Sequence, residues 1–120
     1  NWATDALKHH KVKKIFLEGY SFGSTGRVFN IAENTAILKY NLWEEYIDIE
    51  IIAPTQIKKF ATGTGNASKE KMYEAFIEEH GDIDLRAKLT PRSTNVISPV
   101  NDIVDAYYIL KCGIYNEKKK

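Results

Sequence analysis

SPVNDIVDAYYILKCG, residues 98 to 113, is the stretch from which the rest of this chain is best read. Ser98 followed by Pro99 marks a helix start, because proline's missing N–H costs nothing in a first turn. Asp102 and Asp105 lie three residues apart and so share one face of that helix. Val100, Ile103, Val104, Ala106, Tyr107, Tyr108, Ile109 and Leu110 surround them. A helix apolar on all sides is expected to be buried. Ala106 and Ile109 continue the acidic face, which is therefore expected to pack on protein. Two carboxylates held close in such a setting repel each other unless a cation joins them. The alternative is that both acids are solvated and simply favoured by the dipole of the helix N-terminus.

The whole chain bounds that reading. Its 120 residues suit one domain, and 43% hydrophobic with 12% aromatic residues is a globular composition. A formal charge of +1 gives no strong overall field, so any nucleic-acid contact must come from local basic patches. A lone Cys112 excludes an intramolecular disulfide and a cysteine-rich zinc site, and fits a reducing compartment. No apolar run is long enough for a membrane span, so no membrane partner is expected.

Upstream, residues 2–11 read as a short helix with a basic end around His9 and His10. Val12 to Tyr20 holds the apolar run Ile15-Phe16-Leu17, a central strand, ended by Glu18 and a glycine- and serine-rich loop. An acid at the C-terminal end of a buried strand stands where open α/β sheets place ligands. Arg27 to Trp43 is the longest helical pattern. Val28, Ile31, Thr35, Leu38 and Leu42 form one apolar stripe; Phe29, Ala36, Tyr40 and Trp43 form a second. The second stripe implies a further packing partner, or else a deeply buried helix.

Asp48 to Ala53 is a second strand, closed by Pro54, and a short helical piece with Lys58 and Lys59 follows. Thr62 to Asn66 is a turn, with Asn66 the expected N-cap of a helix from Ser68 to His80 that turns Met72, Tyr73, Ala75 and Phe76 inward and stops at Gly81. Residues 82–98 read as irregular, and 116–120 as a disordered tail. Strands alternating with helices define an α/β class with a largely parallel core.

Glu18, Asp102 and Asp105 are oxygen ligands without a histidine–cysteine cluster, which points to magnesium or manganese. Two such ions about 4 Å apart activate a water and stabilise the leaving oxygen of a phosphodiester. The turn at Gly63, Gly65 and Asn66 offers backbone N–H groups to a phosphate at a helix N-terminus. It is not a Walker A loop, because no Gly-Lys-Ser/Thr follows. Lys58, Lys59, Lys69 and Lys71 flank it, with Arg92 further on, as candidate contacts to backbone phosphates. Tyr20 and Phe22 are candidates to stack on unpaired bases. Each has a plain alternative: the lysines as a solvated face, the loop aromatics as a cap on the core.

These motifs resemble the RuvC family of Holliday-junction resolvases, within the ribonuclease-H-like nucleases. Phe16-Leu17-Glu18-Gly19-Tyr20-Ser21-Phe22 is similar to the family's strand end and aromatic loop. Ala53 to Lys58, then Gly63 to Lys69, follow its Gln-x-Lys and Gly-x-Gly…Lys spacing, and Asp102-Ile-Val-Asp105-Ala106 its Asp-x-x-Asp-Ala helix. The resemblance implies a ribonuclease-H-like fold, a mixed sheet flanked by helices. It implies metal binding by Glu18, Asp102 and Asp105, with Lys58 and Lys69 near the scissile phosphate. It implies a homodimer built on the long helix through Phe29, Ala36, Tyr40 and Trp43. Branched DNA is the implied partner, and the cytoplasm of a bacterial or phage-infected cell the implied setting.

One departure stands out: no strand precedes Val12, so the family's N-terminal hairpin and its further aspartate are expected upstream of Asn1. Junction cleavage is then expected of the full-length protein, with the stretch beginning at Asn1 inactive alone. The competing readings are a non-catalytic nucleic-acid-binding or assembly domain of the same fold, and a related nuclease acting on structured RNA.

Overall fold

Alternating apolar runs and longer helical repeats become eight elements among the described residues. They are α1 (Trp2–His9), β1 (Lys14–Glu18), α2 (Arg27–Glu44), β2 (Asp48–Ile52), α3 (Pro54–Thr62), α4 (Lys69–His80), α5 (Leu85–Leu89) and α6 (Val100–Lys118). The computed structural model describes residues 2–19, 27–81 and 84–119, with backbone alone for 2–4, 8 and 27–35. The chain forms two compact units, Asn1–Ala53 and Pro54–Lys120.

In the first unit, β1 and β2 pair in parallel, with register from Lys14↔Asp48 to Glu18↔Ile52. β-Branched and aromatic residues at Ile15, Phe16, Ile49, Ile51 and Ile52 suit this ladder. Two further bonds extend it: Asp48 N–H donates to the Lys13 carbonyl (3.0 Å) and Gly19 N–H to the Ile52 carbonyl (2.8 Å). The helix α2 packs on β2, and Leu42, Ile47 and Ile52 form a buried core. A turn joins helix to strand: Ile47 N–H donates to the Leu42 carbonyl at 3.0 Å, and Tyr46 takes a left-handed φ of 59°. The run Ile15-Phe16-Leu17, expected as a central buried strand, is half-buried instead. Among the described residues β1 pairs on one side only.

The second unit is helical. The helices α3, α4 and α6 pack against one another, and α5 rests on α6. Ile57, Met72, Phe76, Val96, Val104 and Tyr108 lie in its core. On α6 the buried residues Val100, Val104, Tyr108 and Cys112 recur every four positions, forming a single stripe. Ile103, Leu110 and Ile114 are exposed. The expectation of all-round burial for this helix is therefore corrected: its packing partners cover one face of it.

Local chemistry sets the boundaries. The N-cap of α4 is Ser68, whose side chain accepts from the Lys71 N–H at 3.2 Å. Asn66, the expected cap, lies two residues too early for a helix that starts at Lys69. Gly81 closes α4 as expected, donating its N–H to the Ile77 carbonyl at 2.7 Å. The stretch read as irregular contains α5, because Asp84 caps it by accepting from the Ala87 N–H at 3.1 Å. The Tyr73 hydroxyl donates to Asp84 (2.7 Å) and accepts from the Arg86 N–H (3.1 Å), tying this segment to α4.

The cap position of α6 is Pro99, with no side-chain cap bond. Helix α6 itself runs to Lys118, into the stretch read as a tail. There the Tyr115 ring packs at 5.3 Å from Phe60, and Lys119 lies 4.4 Å over Tyr115. Among the described residues no helix is long and apolar enough to cross a membrane.

Candidate metal and phosphate site

The first turns of α6 carry the acid pair. Asp102 is exposed and is held by its neighbours: the Ser98 hydroxyl donates to one carboxylate oxygen at 2.5 Å, and the Asn101 amide to the other at 3.3 Å. Ser98, read from sequence as a backbone cap, thus positions a carboxylate instead. Asp105 is half-buried. Burial, and then the charge of Asp102, pushes its carboxyl above the ordinary aspartate range, while Lys69 and Lys58 pull the other way. The expectation that both acids lie in a buried setting is corrected for Asp102 and met in part by Asp105.

Asp102, Asp105, Lys58 and Lys69 form a small electrostatic assembly within the second unit. Two carboxylates are close enough to repel, and two ammonium groups from α3 and α4 act on the more buried one. The donors are hard carboxylate oxygens, the chemistry magnesium and manganese prefer. The donor chemistry of the pair is of the kind such a cation takes. Among the described residues no three His, Cys, Asp or Glu side chains gather to hold a metal ion. Glu18 is exposed at the end of β1, in the first unit, whereas the acid pair belongs to the second.

The turn between α3 and α4 is largely self-satisfied. Gly63 N–H donates to the Lys59 carbonyl (2.8 Å) and Ala67 N–H to the Thr64 carbonyl (3.3 Å). Thr64 N–H donates to the Thr62 hydroxyl at 3.2 Å. Among the described residues this leaves the Gly65 and Asn66 N–H groups for a ligand. Gly63 sits at φ 87°, where a side chain is strained, so its glycine is explained by the turn that ends α3. Gly65 is different: a Cβ there would meet the Thr55 carbonyl oxygen at an ordinary 3.5 Å. The local fold does not require glycine at that position.

The other candidates divide as follows. Lys59, Lys69, Lys71 and Arg92 are exposed and Lys58 is half-buried. Tyr20 and Phe22 lie outside the described residues, as does the Phe29 side chain. Ala36 is exposed, and Tyr40 (59%) and Trp43 (73%) project from α2 with ring centroids 6.4 Å apart. Ile37 (55%) on the same helix is exposed as well, as is Tyr46 (96%) in the turn after it, and both were missed in the sequence. For Ile37 the signal was spacing, since it stands three residues before Tyr40 on the same helix; for Tyr46, past the end of α2, helical spacing gives none.

No protein-family model matches the chain, and no curated protein matches it. Among solved structures it is similar to the Thermus thermophilus RuvC structure, with a TM-score of 0.65 and 14% sequence identity. The likeness covers 97% of this chain and 65% of that one, so the chain spans about two thirds of that structure. The chain therefore has a RuvC-type, ribonuclease-H-like α/β fold with a small parallel sheet and accompanying helices.

Proposed function

We propose that the full-length protein is a metal-dependent, structure-selective endonuclease that resolves four-way (Holliday) DNA junctions by phosphodiester hydrolysis. The observation that carries this reading is the environment of Asp105. A half-buried carboxyl raised by burial and by Asp102, with Lys69 and Lys58 acting on it, is the charge pattern of a cation site facing a phosphate. A RuvC-type fold supports it.

In this reading Asp102 and Asp105, with Glu18, hold magnesium or manganese, two ions in the complete site. When bound, the cations supply Lewis-acid polarisation of the phosphate and a more acidic water. Ser98 fixes the rotamer of Asp102 through its 2.5 Å hydrogen bond. Lys69 and Lys58 meet the scissile phosphate, and Gly65 and Asn66 offer backbone N–H groups to its neighbour. Lys59, Lys71 and Arg92 contact the DNA backbone without reading sequence. The aromatic patch of α2 joins two copies of the chain as an isologous dimer.

That exposed patch also favours a second reading, a non-catalytic nucleic-acid-binding or assembly domain, which needs the patch and the lysines but no cation.

One substitution separates the two. In the full-length protein, Asp102→Asn is expected to abolish magnesium-dependent cleavage of a four-way junction while junction affinity stays within a few-fold, because affinity comes chiefly from cationic side chains. Lys69→Ala is expected to weaken binding and to flatten its salt dependence by about one phosphate. A wild-type protein that binds junctions and cuts none in magnesium or manganese would leave the second reading standing.

A further inference from the structure

Between α3 and α6, toward the C-terminal end of α6, lies an open groove of about 540 Å3. From α3 come Gln56, Lys59 and Phe60; from the other side come Tyr115, Asn116 and Lys119, with the buried Cys112 as floor. No acidic side chain is among the described residues that line it.

The wall is aromatic and available. The Phe60 and Tyr115 rings lie 5.3 Å apart at an angle of 48°, too tilted to stack on each other face to face. Tyr115 is 45% exposed. The Lys119 ammonium lies over the Tyr115 ring, 4.4 Å from its centroid, so a flexible cationic side chain stands on that ring face and has to swing aside for a base. Gln56 donates to Asn116 across 3.5 Å, a long bond that leaves hydrogen-bonding capacity at the rim. An aromatic wall carrying ammonium groups suits a ligand that is both planar and anionic. Inorganic phosphate would leave the rings without a partner, and an apolar peptide would leave the lysines without one.

Position relates the groove to the acid pair. Lys59 follows Lys58, whose charge acts on Asp105. Along α6, Asp105 and Tyr115 are separated by roughly 15 Å at 1.5 Å per residue.

We propose that this groove binds a nucleotide unit of single-stranded DNA, its base stacked on Tyr115 with an edge against Phe60 and its phosphate held by Lys59 and Lys119. The inference rests on the DNA-binding part of the function proposed above and not on cleavage.

The test is anisotropy of a labelled oligothymidylate with the full-length protein. Tyr115→Ala is expected to weaken binding about tenfold, the scale of one lost stacked base. Tyr115→Phe, which keeps the ring, is expected to stay within about twofold. Joint replacement of Lys59 and Lys119 by alanine is expected to flatten the salt dependence by about two phosphates. Unchanged affinity in Tyr115→Ala, or an equal loss in Tyr115→Phe, overturns the proposal. Thymidine monophosphate binding as tightly as the oligonucleotide assigns the groove to a free nucleotide and overturns the strand.

Should Tyr115→Ala fail to fold, photocrosslinking of a bromouracil-substituted oligonucleotide to the wild-type protein decides the matter. Adducts on Tyr115 or Phe60 are expected, and adducts confined to other residues contradict the proposal. A protein that cuts nothing yet loses oligothymidylate binding on Tyr115→Ala counts against the nuclease reading alone.

Discussion

Asp105 shows most clearly what one residue's surroundings decide. Its carboxyl is raised by burial first and Asp102 second, and the opposing pull of Lys69 and Lys58 is outweighed. A raised folded-state pKa means the native protein binds this proton more tightly than the unfolded chain, whose value is near 3.8. Stability therefore falls as pH rises from the unfolded value through the folded one, and the cost of the buried charge persists at neutral pH. Asp105→Asn removes that charge, so it is expected to raise the melting temperature at about pH 7 and to lose the advantage at about pH 3. Thermal melts across that range check it; a variant that melts lower at neutral pH than wild type would show that the lysine attraction outweighs burial. The spacing of Asp102 and Asp105 was legible in the sequence because helical geometry puts third neighbours on one face. Their unequal burial was not, because it depends on which side of α6 its packing partners cover. The same limit explains Ser68: both it and Asn66 are capping types, and only the helix start at Lys69 chooses between them.

At the scale of elements, periodicity carried most of the information. Both strands and α2, α3, α4 and α6 lie within a few residues of where apolar spacing and punctuation put them. The segment after His80 was harder to read, since α5 depends on Asp84 and on the Tyr73 hydroxyl reaching it from α4, a contact eleven residues apart in sequence. The second stripe of α2 is the element whose exposure calls for a partner. Ile37, Tyr40 and Trp43 present large apolar surfaces to solvent, and contiguous apolar patches on a folded protein mark interaction sites. Charged replacements at the patch, Tyr40→Glu with Trp43→Glu, are expected to convert a dimer to a monomer without lowering the melting temperature of the monomer, because neither side chain is in the core. Sedimentation or light scattering reads the mass. A wild-type protein that is monomeric at high concentration, or a double variant that stays dimeric, would assign the patch to something other than self-association.

At the scale of the whole molecule the proposed ligands fall in both units, Glu18 in the first and the acid pair in the second. The order of elements and the fold class followed from alternation of strand and helix, and the likeness to the Thermus thermophilus RuvC structure agrees with them. What sequence order alone leaves open is assembly in space: Glu18 ends β1 and the acid pair opens α6, more than eighty residues later. The function proposed above assigns Glu18, Asp102 and Asp105 to the binding of one kind of cation. Manganese binding by the full-length protein, measured calorimetrically for wild type and for Glu18→Gln, Asp102→Asn and Asp105→Asn, tests this most directly. Each replacement is expected to lower manganese affinity by about tenfold or more, on the scale of losing a ligand's charge, while Asp5→Asn on α1 leaves it unchanged. Manganese affinity that survives Glu18→Gln but not Asp102→Asn would contradict the claim.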